Sequence, residues 1–227
     1  ENREVALAVV EHYLPRGAGD ALPATPAGAV VALAERLELL LSIFAKGERP
    51  TGSSDPYALR RAGNGVLQIL WGMGWRLDLM AFLSHAVAEW AALFPAFSVD
   101  ASQLHKDLCQ LMRQRIVSQL EDDGFAPDLV QAVAGDALSN ERLLSDPLDV
   151  KQRIQLLRDL RNSGQLDAVQ AVVQRAAKLA EKGDLARDQL VPGDVVRPER
   201  FESASEQDLF SALVQLQPLA QQRSYQA

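Results

Sequence analysis

Apolar residues recur along most of the chain at the spacing of amphipathic helices, and alternating β-branched runs are almost absent. Alanine, leucine, glutamine, arginine and glutamate dominate the sequence, and these residues favour helix. The pattern therefore predicts an all-α fold.

Prolines and turn residues divide the first part of the chain into successive helices. Thr25 is a plausible N-cap, because its side-chain oxygen can accept a hydrogen bond from the first turn. Asp55 is expected to cap a helix that has Pro56 at its first position, and Gly72 and Gly74 are expected to break that helix. The predicted helices cover residues 3–14, 26–46, 56–71 and 75–93.

A boundary is predicted at residues 96–102, and a second series of helices follows it. Ser145 or Asp146 is expected to cap a helix with Pro147 near its start, and Pro218 is expected to interrupt the last helix. Residues 184–204 have a polar, loop-like composition. The predicted helices cover residues 104–120, 127–134, 147–161, 165–182 and 205–217.

The composition is that of a globular protein. Of the 227 residues, 48% are hydrophobic and 23% are charged, so a core can form. The single cysteine, Cys109, allows no internal disulfide and fits a reducing, cytoplasmic location. The most apolar stretch, residues 66–94, is too short and too broken by glycines to cross a membrane. Neither terminus resembles a natural chain end, so we expect a piece of a longer protein.

The formal net charge of −7 argues against a general nucleic-acid coat, because phosphate binding needs local positive charge. Two regions are nevertheless basic. Residues 147–182 hold seven basic against four acidic side chains, and residues 44–76 hold five against two. A local nucleic-acid face is therefore compatible with the sequence.

No catalytic constellation is evident from the residues alone. His12, His85 and His105 are far apart and lack the spacing of a metal site. No nucleophile elbow or phosphate-binding glycine loop occurs. Cys109 is expected to be a packed thiol, and Asp122 with the next aspartate is expected to be a solvated helix end.

The loop at residues 47–55 is the most unusual local feature, and two interpretations are open. It can be a simple connector between helices. It can also be a conformationally fixed loop that presents Arg60 and Arg61 beside a helix N-terminus, where anions are favoured.

Several strings of this sequence resemble one known family. They are EHYLPR at 11–16, AGD at 18–20, PTGSSDPYALRRA at 50–62, Arg115, and GFAPDLV at 124–130. The string at residues 50–62 is highly specific. Together with a looser match at 153–179, they resemble the β subunit of the bacterial-type heterotetrameric glycyl-tRNA synthetase over nearly the whole chain.

The resemblance implies a division of labour within a heterotetramer of two α and two β subunits. The α subunit would form glycyl-adenylate from ATP with Mg and carry the aminoacylation centre. The β subunit would contribute recognition of tRNA(Gly). This chain is therefore expected to belong to a glycine-tRNA ligase without being catalytic itself.

The resemblance also implies two domains. Residues 1–95 would be the C-terminal part of an HD-like helical domain. Residues 96–227 would be a helical, DALR-like anticodon-binding domain that is truncated at its C-terminus, since the family sequence continues beyond Ala227.

The metal site of HD-type phosphohydrolases is not expected here. The segment that would supply its His-Asp pair lies before Glu1. The family's usual aspartates in the long helix are replaced by Glu35 and Glu38. We therefore expect no metal, no cofactor and no catalytic residue in this chain.

The candidate tRNA contacts are basic side chains, because cations bind phosphates and fix register without reading sequence. Helical spacing places Lys151, Arg158 and Arg161 roughly on one face, and Arg175, Lys178 and Lys182 on another. Each could equally be an ordinary solvated residue, and Arg61 could be buried in a structural ion pair. The full set is Arg60, Arg61, Lys151, Arg153, Arg158, Arg161, Arg175, Lys178 and Lys182.

Two further functions are open. The apolar helices around Trp71, Trp75 and Trp90 could make the chain a helical scaffold that mainly mediates subunit assembly, with little intrinsic tRNA binding. A metal-dependent phosphohydrolase of the HD type is the weakest candidate, because the histidine ligands are missing.

Overall fold

The computed structural model describes residues 3–183 and 196–221. Within these ranges the chain consists of α-helices, two short 3-10 helices and connecting loops, and no strand occurs apart from an isolated bridge between Thr51 and Ser54. The predicted all-α fold is confirmed. None of the described helices has both the length and the apolar character needed to cross a membrane.

Ten α-helices lie in the described residues. They are α1 (Arg3–Glu11), α2 (Pro26–Ala45), α3 (Leu59–Met73), α4 (Leu79–Leu93), α5 (Ala101–Asp122), α6 (Pro127–Ala134), α7 (Asn140–Leu144), α8 (Pro147–Asn162), α9 (Leu166–Ala180) and α10 (Ala204–Gln221). The 3-10 helices are Pro95–Phe97 and Pro198–Arg200.

The predicted cap of α2 is confirmed, since the Thr25 hydroxyl accepts a hydrogen bond from the Gly28 N–H at 3.0 Å. The predicted start of α3 at Pro56 is wrong. Ala58 has a left-handed backbone (φ 55°), so regular helix begins only at Leu59. Asp55 still caps this helix from outside it.

The predictions made from glycine and proline positions were partly right. Gly72 lies inside α3 and does not break it, whereas Gly74 adopts a left-handed backbone (φ 65°) and ends the helix. Pro218 lies inside α10, so the expected interruption there is wrong. The α4 helix begins at Leu79, later than predicted, because Asp78 caps it by accepting the Ala81 N–H. The short helix α7 was not predicted.

The structure forms two compact units, Glu1–Gln155 and Leu156–Ala227. In the first unit α2, α3 and α5 pack together, and α5 also packs against α4, α6 and α7. Their buried side chains include Leu40, Leu67, Ile69, Met112 and Ile116. This unit crosses the position between residues 95 and 96, and the division into two family domains there stays a prediction.

The second unit contains the last part of α8, together with α9 and α10. In α9 no residue is buried, and Val172, Val173 and Leu179 are each at least 60% exposed. The rings of Phe201 and Phe210 are arranged edge to face, with their centroids 5.8 Å apart.

Candidate nucleic-acid interface

Arg36 organises the segment that follows α1. Its side chain projects from the middle of α2 and is buried. One guanidinium nitrogen, Nη1, donates to the carbonyls of His12 and Ala32 at 3.0 and 2.8 Å. The other, Nη2, donates to the carbonyls of Tyr13 and Pro15 at 3.1 and 2.8 Å. A single side chain thus fixes the backbone at residues 12–15 against α2.

Gly65 leaves the space that Arg36 occupies. A Cβ atom at residue 65 would lie 2.4 Å from the Arg36 Nε atom, which is closer than side-chain contacts allow. The α3 helix can therefore approach the guanidinium only because residue 65 has no side chain. Burial lowers the pKa of Arg36, but arginine remains cationic at neutral pH.

The loop before α3 is held by its own residues. Thr51 and Ser54 exchange two backbone hydrogen bonds, at 3.0 and 2.7 Å, which close a tight turn. The two carboxylate oxygens of Asp55 accept the N–H groups of Leu59 and Arg60 at 2.8 and 2.9 Å. The Arg60 guanidinium donates to the Gly52 carbonyl at 2.7 Å. The loop is therefore conformationally fixed beside the two arginines.

Arg61 is exposed at the start of α3, and no hydrogen bond or ion pair joins it to any other residue that the structure describes. The alternative of a buried structural ion pair at Arg61 is therefore wrong. Its side chain borders two neighbouring cavities, of about 330 and 230 Å³, which also share Pro15 and Ala58.

Two polar side chains extend the larger cavity along α3. Asn64 and Gln68 both line it. The Oδ1 atom of Asn64 is buried and accepts no hydrogen bond from the described residues. Neither residue was among the predicted candidates, because an isolated asparagine or glutamine in a helix carries no distinctive sequence signal.

Arg115 adds a third guanidinium to this region. Its aliphatic stem crosses α3 at Gly63, where a Cβ atom would lie 2.9 Å from Arg115 Cγ. Burial and the nearby charge of Arg60 lower the pKa of Arg115, while Asp122 and Asp55 act in the opposite direction. Arg115 is one of the residues that carry the family resemblance, which was the one signal that could have marked it as a candidate.

Lys151 and Arg153 are engaged within the first unit. The Lys151 ammonium forms an ion pair with Asp123 and lies 4.9 and 5.1 Å from the ring centroids of Trp71 and Phe125. The Nε atom of Arg153 lies 2.9 Å from Asp149, whose carboxylate is buried. The structure thus uses both cations in packing, and Lys151 is half-buried whereas Arg158 and Arg161 are exposed.

The remaining candidates lie in the second unit and face solvent. Arg158 Nε is 3.9 Å from Asp159, and both side chains are largely exposed. Arg161 is also exposed. Arg175, Lys178 and Lys182 are exposed and form no ion pair with any described residue. Contact with tRNA stays a prediction for all nine basic residues.

The side chains that were considered for HD-type hydrolysis and for thiol chemistry can be located in the described residues. No group of three or more His, Cys, Asp or Glu side chains that could hold a metal ion occurs among them. Glu35 lies 3.3 Å from Arg36, and Glu38 accepts a hydrogen bond from the Ser42 hydroxyl. Cys109 is buried, as expected of a packed thiol, and burial raises the pKa of this thiol to about 11.

Comparisons with known proteins give a consistent picture. The family model described as glycyl-tRNA synthetase beta subunit matches residues 1–135. A glycine–tRNA ligase beta subunit from Acaryochloris marina is 45% identical over 223 residues, and one from Synechocystis is 40% identical over 230 residues. Another, from Ectopseudomonas mendocina, is 38% identical over 231 residues.

These alignments cover 97%, 97% and 99% of this chain, respectively, but only 31% of each relative. The chain thus spans about a third of the length of the proteins that it matches. The family model covers more than half of its residues, and it includes the Arg36 network, the loop at 51–58 and the arginines at the start of α3. The chain belongs to the glycyl-tRNA synthetase beta subunit family.

Proposed function

We propose that this chain is a tRNA-binding part of the β subunit of glycine-tRNA ligase. In this role it supports the ATP-dependent attachment of glycine to tRNA(Gly), which takes place at the α subunit in the cytoplasm. The α subunit and tRNA(Gly) are its partners, in an assembly of two α and two β subunits. The chain itself supplies no catalytic group.

The observation that carries this proposal is that Arg61 is exposed and has no partner among the described residues. An exposed guanidinium without a protein partner keeps all of its hydrogen-bond donors available to phosphate, and arginine matches phosphate geometry with two donors at once. The fixed loop at residues 51–58 holds Arg60 beside it. Because its guanidinium is already held at Gly52, Arg60 loses less conformational entropy on binding than a mobile side chain would.

The basic residues of α9 and its C-terminal end supply a second set of phosphate contacts under this proposal. Lys178 lies in the last turn of α9, and Arg175 lies one turn earlier. With Lys182 they form an exposed cationic series without described acidic partners. Lys151 and Arg153 contribute less, because their charges are already paired inside the protein.

A titration of the chain with tRNA(Gly) and a non-cognate tRNA at two salt concentrations tests the proposal. Binding that weakens steeply with salt and prefers tRNA(Gly) is the expected result, because phosphate contacts release counterions on binding. No binding, or equal weak binding of both tRNAs, would contradict it.

One observation favours the alternative function of a helical scaffold for subunit assembly. Val5, Val9 and Val10 on α1 are 60%, 65% and 69% exposed, an unusual concentration of apolar surface on a short helix. If the scaffold function holds, the α subunit binds the chain while tRNA does not, and Val9→Asp abolishes that binding. Size-exclusion chromatography with the α subunit distinguishes the two functions.

A further inference from the structure

The larger of the two cavities at Arg61 has the dimensions of a small-ligand site. It encloses about 330 Å³ between the segment around Pro15 and the first turns of α3. Ligand pockets in proteins span about 300–1,000 Å³, so this one lies at the small end of that range. A helical stem of RNA is too wide to enter such a space, whereas one nucleotide is of suitable size.

The charge around the cavity favours an anion. Arg61 has no described protein partner, and Arg60 uses one of its five N–H donors on the Gly52 carbonyl. Asp55 also lines the cavity, but both of its oxygens already accept backbone N–H groups of α3. The guanidinium of Arg115 lies close enough to Arg60 to repel it, which adds to the positive potential.

The wall of the cavity adds a side chain that lacks a hydrogen-bond donor, Asn64. Asn64 lies three residues after Arg61 and four before Gln68, so the three side chains follow one face of α3. The buried Oδ1 atom of Asn64 accepts no hydrogen bond from the described residues. A buried acceptor without a donor is destabilising, so a ligand that supplies a donor when the Asn64 amide turns toward the cavity relieves the cost.

A ribonucleotide meets both requirements. Its phosphate is the anion, and its 2′-hydroxyl and exocyclic amino groups are donors. Three residues of helix rise only about 4.5 Å, so Arg61 and Asn64 can contact the same nucleotide. In a duplex the base is paired and stacked, so only an unpaired nucleotide can place its base in the cavity.

We propose that this cavity binds one unpaired nucleotide of the tRNA, with its phosphate at Arg61 and a donor of its ribose or base at Asn64. This inference rests on the proposed tRNA-binding function and deepens it, because it assigns a single-strand site to α3. Gln68 lies one further turn along and limits the depth to which the base can enter.

The test uses the whole chain with a short single-stranded RNA, the blunt duplex of the same sequence, and tRNA(Gly), all at one ionic strength. Binding is measured for the unmodified chain and for Asn64→Leu, Arg61→Ala and Lys106→Ala. Asn64→Leu keeps the approximate size of the side chain but removes the acceptor. Lys106→Ala removes one positive charge from an exposed position of α5 that does not line the cavity.

We expect Asn64→Leu to weaken binding of the single strand and of tRNA(Gly) about fivefold, as for the removal of one hydrogen bond, without affecting the duplex. Arg61→Ala should weaken binding of the single strand tenfold or more, as expected for the loss of about one charge-assisted hydrogen bond. Lys106→Ala should leave the preference for the single strand unchanged. The melting temperature of Asn64→Leu should not fall, because the variant removes an unsatisfied buried acceptor and favours helix.

Three results would overturn the inference. One is unchanged RNA binding by Asn64→Leu, and another is equal binding of single strand and duplex. The third is displacement of the single strand by inorganic phosphate at constant ionic strength, which would reduce the cavity to a simple anion site. In each case salt-sensitive binding of tRNA(Gly) by the unmodified chain would leave the proposed function standing. Failure of the unmodified chain to bind any of these RNAs would overturn both.

Discussion

The carboxylate of Glu11 accepts hydrogen bonds from both the hydroxyl and the backbone N–H of Thr25, at 2.6 and 3.2 Å. Glu11 is the last residue of α1, and Thr25 is the N-cap of α2. This pair therefore ties two consecutive helices together at the point where the second one begins.

The Glu11 pair predicts a pH-dependent contribution to stability. The hydrogen bonds from Thr25 lower the pKa of Glu11 below its ordinary value of 4.5. A lowered folded-state pKa stabilises the protein above pH 4.5, and that contribution is lost as pH falls through the folded-state pKa. Glu11→Gln should therefore be less stable than the unmodified chain at pH 7, and the difference should shrink below pH 4.5.

Urea denaturation of both proteins across a pH series measures this difference. Other carboxyls with lowered pKa, such as Asp20 and Glu206, are present in both proteins and cancel in the comparison. A stability difference between the two proteins that stays constant from neutral to acidic pH would contradict the assignment.

Gly65→Ala should destabilise the chain and disturb the cavity wall at Pro15. The added methyl group would collide with the Arg36 guanidinium, which holds the backbone of residues 12–15. Overpacking of this kind costs about 1–3 kcal/mol. Gly17→Ala is the matched control, since its Cβ would meet no atom within 4 Å, and it should change the free energy of unfolding by less than about 0.5 kcal/mol. Equal effects of the two substitutions would disprove the close contact.

Replacing Arg60 and replacing Arg61 should lower the free energy of unfolding by different amounts. Arg60→Ala loses the hydrogen bond to the Gly52 carbonyl and should reduce the free energy of unfolding by about 0.5–1.5 kcal/mol. Arg61→Ala removes no described hydrogen bond or ion pair and should stay within about 0.5 kcal/mol of the unmodified chain. Both should weaken tRNA(Gly) binding, because both remove a cation near the cavity. Chemical denaturation and a tRNA titration on the same samples check this; a larger stability loss for Arg61→Ala would contradict it.

Lys151 should contribute to the stability of the chain, whereas the exposed cations of α9 and its C-terminal end should contribute to tRNA binding. Lys151→Met keeps the aliphatic stem but removes the charge that interacts with Asp123, Trp71 and Phe125, so it should destabilise the chain by about 1 kcal/mol. The slope of tRNA affinity against salt should hardly change. Replacing Arg175, Lys178 or Lys182 by alanine should reduce that slope by about 0.7–0.9 for each phosphate that the side chain neutralises. A large slope change in Lys151→Met would reverse this assignment.

Some local signals in the sequence were interpreted correctly and others were not. Thr25 as a cap and Gly74 as a helix end depend only on neighbouring residues, and both were predicted correctly. The start of α3 was misplaced because Ala58 takes a left-handed backbone, which alanine gives no reason to expect. Pro218 was misjudged because a proline inside a helix does not always end it.

Long-range contacts were not accessible from spacing along the helices. Helical periodicity grouped Lys151 with Arg158 and Arg161, but it could not show that residues 71, 123 and 125 surround the lysine. Arg36 was not singled out from the sequence. Its acceptors at residues 12–15 lie more than twenty positions away in sequence, so its organising role emerged only from the fold.

The Arg36 network has a consequence for how this surface can vary. Lysine would carry the same charge, but its compact ammonium has three donors and cannot reach four carbonyl acceptors arranged around a planar fork. The backbone beside the cavity is thus set by the shape of one side chain. A change at this residue can alter which ligands fit next to Pro15 while the electrostatic field of the whole surface stays the same.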